Sequence, residues 1–123
     1  MTGAATKIEG ACLCGAVRYE APAAPETVTD CNCTSCRKRG LLWAYYSPRD
    51  VRVEGPTKSF MWGDRMLEFH FCDTCGCATH WWAIDKSYDR MGVNARLMAP
   101  EILAAARVRH MDGADTWKYL DED

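Results

Sequence analysis

No run in this chain approaches the roughly 18 apolar residues of a membrane helix, so none is expected to span a bilayer. The opening Met1-Thr2-Gly3-Ala4-Ala5-Thr6-Lys7 has no apolar core of signal-peptide length. The expected location is therefore the reducing cytoplasm. Low-complexity tracts and repeats of about 20–50 residues are missing too, which sets aside solenoids and disordered arrays. There is no Ser-His-Asp arrangement, phosphate loop or dinucleotide fingerprint, and so no sign of those hydrolase, NTPase or dehydrogenase chemistries. An excess of one charge sign is missing: a formal net charge of −2 gives no general attraction to nucleic acid or anionic membrane.

What is present describes one globular domain. The 123 residues are 48% hydrophobic, with five Trp and five Tyr as large rigid packing surfaces. Residues 1–60 lean basic and residues 61–123 acidic, and the one concentrated basic run is Arg37-Lys38-Arg39. The expected organisation is an N-terminal segment at 1–9, a single zinc-binding β domain at 10–119, and an acidic tail at 120–123 that frays from Asp121.

The patterning favours strands. Ala16–Glu20 alternates apolar with polar, Val28 leads a strand into Cys31, and Leu41–Tyr46 is an apolar, aromatic run. Val51 and Val53 precede the turn at Gly55-Pro56. Phe60 and Trp62, then Leu67, Phe69 and Phe71, keep the period of two, and Ala78–Ile84 and Met91–Leu97 suggest two more strands. Helical signals are few. Thr34 or Ser35 can cap one turn that stops at Gly40, and Pro100-Glu101-Ile102-Leu103-Ala104-Ala105-Ala106 reads as a short helix with proline in its first turn. A mainly β fold with one or two short helices is expected.

Eight cysteines fall into three clusters: Cys12/Cys14, Cys31/Cys33/Cys36, and Cys72/Cys75/Cys77. Cysteines one or two residues apart share a metal readily and bridge each other poorly. Cys12 and Cys14 with Cys72 and Cys75 make a closed four-thiolate site of structural type. Cys31, Cys33 and Cys36 make a three-ligand set with an exchangeable fourth position, the pattern of a catalytic zinc. Cys77 is left over; it is either a free buried thiol or a fourth ligand that closes the second site. The spacings match no ferredoxin pattern.

Ligand type narrows the chemistry. Three thiolates make Zn²⁺ a weak Lewis acid, ill suited to activating water and better matched to a fourth thiolate from outside. Arg37, Lys38 and Arg39 can offset the negative charge and hold substrate carboxylates, or form only a solvated turn. Arg96, beside Asn94 on an expected strand, is a further candidate carboxylate binder. His70, His80 and His110 are expected to be packed or superficial. Trp43, Tyr45, Trp62, Trp81 and Trp82 either wall a pocket above the second zinc or belong to the core.

The segments Gly10–Tyr19, Cys31–Gly40 and Phe71–Gly76, with Met91–Leu97 and Asp112-Gly113 through Trp117, resemble the family of glutathione-dependent formaldehyde-activating enzymes and centromere protein V. The resemblance covers residues 10 to 119. It implies a β-tent fold of small antiparallel sheets around a structural zinc on Cys12, Cys14, Cys72 and Cys75. It places Cys31, Cys33 and Cys36 on the catalytic zinc ligands, and implies a carbon–sulfur lyase that joins a thiol such as glutathione with formaldehyde or a related aldehyde. The other function it allows is a non-catalytic zinc module that binds protein or nucleic acid. The short basic run disfavours nucleic acid, because each phosphate contact needs a cation. Asn32 stands where the family often has His, and Cys77 where it has a small or aliphatic residue.

Overall fold

The computed structural model describes residues 7–121. Ten strands and two short helices follow one another: β1 (Ile8–Ala11), β2 (Arg18–Ala21), β3 (Thr27–Cys31), α1 (Thr34–Arg39), β4 (Trp43–Tyr46), β5 (Arg52–Glu54), β6 (Thr57–Met61), β7 (Leu67–Cys72), β8 (Ala78–Ala83), β9 (Met91–Asn94), α2 (Pro100–Ala105) and β10 (Arg107–Met111). The fold is mainly β, as expected. A three-stranded sheet runs β1-β2-β5, and a seven-stranded sheet runs β10-β3-β4-β9-β8-β7-β6. All named pairings are antiparallel except β10 with β3, which is parallel.

The large sheet carries a different cargo on each face, and the period of two along its strands produces this. Trp43, Trp81 and Phe69 pack with Cys31 and Cys36 on one side. Ala44, Met91 and Val93, their neighbours in sequence or register, pack with Tyr19 and Val28 on the other. That second core joins the sheets, since Tyr19 comes from β2 and Val53 of β5 packs against it. Met91 and Val93 are fully buried, each worth about 1.5–3 kcal/mol in apolar burial. The Tyr19 hydroxyl donates to the Asn94 carbonyl at 2.9 Å, which pins the small sheet to the large one.

Several boundaries differ from the sequence reading. β1 and β10 carry weak patterns and were not expected. The strand expected over Met91–Leu97 ends at Asn94, whose side chain accepts from the Arg96 N–H at 3.1 Å and caps a 3₁₀ turn over Ala95–Leu97. Arg96 is therefore not on a strand. The helix at Thr34 is capped by Cys33 rather than Thr34 or Ser35, because the Cys33 sulfur accepts the Cys36 N–H at 3.4 Å. Gly40 does end it, at φ 65°. Residues 1–6 of the N-terminal segment, and Glu122 and Asp123 of the tail, lie outside the described residues. Asp121 is not frayed: its carboxylate accepts from the His110 backbone N–H and lies 3.0 Å from the ring Nδ1.

Candidate metal centres

All eight cysteines are unpaired. Two tight turns bring the first four sulfurs together. Between β1 and β2, Cys12 N–H donates to Val17 O at 3.0 Å and Val17 N–H returns to the Cys12 sulfur at 3.3 Å. Between β7 and β8, Cys72 N–H donates to Cys77 O at 2.9 Å, and Thr74 and Cys75 N–H groups reach the Cys72 sulfur at 3.3 and 3.4 Å. Gly76 takes φ 82°, a value side chains resist, and lets the second turn close.

The sulfurs of Cys12, Cys14, Cys72 and Cys75 all lie within 4.8 Å of one another. Cys12 to Cys14 and Cys14 to Cys72 are each 3.7 Å. Four thiolates about 2.3 Å from a tetrahedral zinc stand about 3.8 Å apart, so this donor set fits that ion. Backbone N–H groups of Cys77 and Cys14 hold the Cys75 thiol down to about 5, which favours the ligating form. Cys77 itself stays beside this first group: its sulfur accepts the Leu13 N–H at 3.4 Å and it packs against Cys12, Val17 and Cys72.

The second group forms where β3 runs into α1. Cys31, Cys33 and Cys36 place their sulfurs within 4.8 Å of one another, and Cys31 and Cys36 are buried. Every sulfur receives an N–H: Cys33 N to Cys31 at 3.5 Å, Cys36 N to Cys33 at 3.4 Å, and Trp43 Nε1 to Cys36 at 3.3 Å. The Cys36 thiol hydrogen-bonds Cys31 and brings it down to about 6, while Cys36 is driven up by the same bond and by burial. The two sulfurs are thus pushed in opposite directions, and Cys36 has an indole as its N–H donor. Trp43 as a sulfur donor carries no signal in cysteine spacing; the aromatic run at 41–46 was the only hint.

The cations of the basic run are treated unequally by the fold. Arg37 and Lys38 are exposed, whereas Arg39 is half-buried. Its guanidinium lies 4.8 Å from the Phe60 ring centroid and 5.7 Å from that of Phe69, which in turn packs on Trp43. Among the described residues no acidic side chain pairs with Arg39; it reaches only Ser35 Oγ, at 3.5 Å. Burial lowers its pKa and the Cys36 charge opposes that. Arg96 donates from Nε to the Gly40 carbonyl at 2.8 Å and so braces the end of α1.

Of the five aromatics, Trp43, Trp81 and Tyr45 join the second cluster, Trp82 packs on the opposite core, and Trp62 is exposed in the β6–β7 turn. His70 and His80 belong to neither sulfur group. They stack on each other, with Thr57, Glu68 and Thr79 as hydrogen-bond partners. A loop after β10 also reaches the second cluster: Asn32 Nδ2 donates to Asp112 Oδ1 at 3.1 Å, and Ala114 N–H donates back to Asn32 Oδ1 at 2.9 Å.

Residues 7–110 match the sequence family of the glutathione-dependent formaldehyde-activating enzyme. The chain belongs to that family. A solved structure of a Rhodobacter sphaeroides protein is similar to it, with 29% identity and a TM-score of 0.67 over 82% of this chain and 99% of the other. No curated protein matches the chain. Membership in the glutathione-dependent formaldehyde-activating family fits two cysteine groups able to hold metal, and it points to thiol–aldehyde chemistry. Among the described residues no helix is long and apolar enough to cross a membrane.

Proposed function

We propose that this chain is a zinc-dependent carbon–sulfur lyase-like enzyme that joins a small thiol, glutathione or a close relative, with formaldehyde or a related aldehyde. In this reading Cys12, Cys14, Cys72 and Cys75 hold a structural zinc within a β-tent fold, and Cys31, Cys33 and Cys36 hold a second. Bound there, the second zinc supplies a soft centre with a fourth position suited to thiolate. The reaction needs no redox partner. The thiol sulfur forms a bond to the carbonyl carbon, the C=O π pair moves to oxygen, and the proton lost from sulfur ends on that oxygen.

The chain's own residues have definable tasks. Trp43 and the Cys33 and Cys36 peptide groups hold the sulfurs in one arrangement. Arg39 receives a substrate carboxylate against the Phe60 and Phe69 rings, with Arg37 and Lys38 adding field at the surface. Arg96 holds the end of α1 and lends charge to the same corner. Eight unpaired thiols suit a reducing compartment, the cytoplasm in this reading.

One observation carries the proposal: a three-sulfur group, its thiols already hydrogen-bonded, beside a half-buried arginine with no acidic partner among the described residues. Metal analysis with calorimetric titration of glutathione tests it. Two zincs per chain and thiol binding that Cys36→Ser abolishes are expected. Two zincs with no thiol binding overturn it.

A further inference from the structure

The three-thiol group is covered on its Cys31 side by the 112–117 loop. A Cβ built on Gly113 would stand 2.4 Å from the Cys31 sulfur and 3.1 Å from Cys33 Cβ. Non-bonded heavy atoms settle at about 3.5–4.0 Å, so only a residue without a side chain allows the peptide this close. The approach is enforced. Asn32, between two of the cysteines, donates to Asp112 Oδ1 and accepts from Ala114 N–H, the residues immediately before and after Gly113. Its own backbone N–H donates to Met111 O at 3.1 Å.

Asp112 completes the loop. Its second carboxylate oxygen takes the Thr116 hydroxyl at 3.0 Å and the Thr116 N–H at 3.3 Å, and its carbonyl takes the Trp117 N–H at 2.7 Å. These donors lower the Asp112 pKa, Asn32 foremost, so the carboxylate stays ionised. Trp117 adopts φ 59° in that closure, and its ring lies 3.2 Å from the Gly113 Cβ position. The Asp112 and Thr116 side chains thus bond within the loop that carries Gly113.

We propose that Asn32 and Gly113 are positioning residues for the three-thiol centre: Asn32 clamps the 112–117 loop on both flanks of Gly113, and the bare Gly113 peptide fixes the direction of the Cys31 sulfur. The inference rests on the reading that Cys31, Cys33 and Cys36 hold a metal. Residues outside the ligand set that orient ligands commonly change metal affinity by 10–100-fold when replaced. Asn32 acts here through Gly113 rather than by touching the metal.

The test uses the full chain titrated with Co²⁺, whose thiolate charge-transfer and d–d bands report each site, in competition with a chelator. Asn32→Ala and Gly113→Ala are each expected to weaken the second-site Co²⁺ tenfold or more and to shift its d–d envelope. The first site should keep its affinity and spectrum, which serves as the folding control. Asp112→Ala should act like Asn32→Ala, and the double variant should be no worse than either alone. Unchanged second-site affinity and bands in Asn32→Ala overturn the inference, and so does equal loss at both sites, which marks general destabilisation. If Gly113→Ala does not fold, Asn32→Ala decides alone. Failure of the unaltered chain to bind a second Co²⁺ would instead overturn the proposed function.

Discussion

The imidazole of His70 lies flat against that of His80, centroids 4.5 Å apart and planes 13° from parallel. The pair is formed across β7 and β8, with Trp82 edge-on to His80. Burial, and secondarily the charge of His70, bring the His80 pKa down from 6.5 to about 3. The folded state therefore resists a proton that the unfolded chain takes. Stability tied to His80 is complete above 6.5 and is lost as pH falls toward 3, by about 1.4 kcal/mol per pH unit. Urea unfolding of zinc-loaded protein at pH 7.5 and 5.5 should reveal that loss. His80→Gln should flatten the dependence; an equal loss in the variant would show that another group titrates.

Gly92 faces the Trp81 indole directly, in register on β9 and β8. A Cβ there would come within 2.2 Å of Trp81 Nε1. Gly92→Ala should cost about 1–3 kcal/mol in thermal or urea unfolding. Trp81→Phe in the same chain should recover part of it, because the clash is with the larger ring.

Arg39 and Lys38 are neighbours in sequence with different prospects. Arg39→Ala should raise the dissociation constant for glutathione fivefold or more, and Lys38→Ala less than twofold, by calorimetry. Binding of an uncharged thiol such as 2-mercaptoethanol should be insensitive to both. Equal effects of the two changes would assign the role to diffuse charge.

Cys77 separates from its neighbours by metal content. Cys77→Ser should retain the full complement of zinc and lose at most the bond from Leu13. Cys72→Ser should lose one zinc and with it cooperative unfolding, since that sulfur ties β7 to the β1–β2 turn. Loss of metal from Cys77→Ser would make it a ligand.

Both sulfur groups were legible because cysteine spacing is a direct statement of local geometry: a turn of two or three residues can aim two sulfurs at one point. A strand with alternating apolar residues, such as Leu67–Cys72 with Leu67, Phe69 and Phe71, was legible for a similar reason. What escaped was long-range. β10 reads as Arg-Val-Arg-His-Met and gains its place from long-range parallel pairing with β3. The Met91–Leu97 pattern continues past the true end because an Asn94 side chain, not hydropathy, turns the chain. The contact of Gly113 with Cys31 joins residues that no local window contains.

That last contact has a temporal side. The thiols of the second group lie within six residues of sequence, Cys31 to Cys36, while the clamp from Asn32 reaches Asp112, 80 residues later. At roughly 5–20 residues per second, a ribosome exposes the three thiols about 4–16 s before their cover exists. The two groups are thereby completed in order of synthesis: the middle one first and uncovered, the other only when Cys72 and Cys75 arrive to join Cys12 and Cys14.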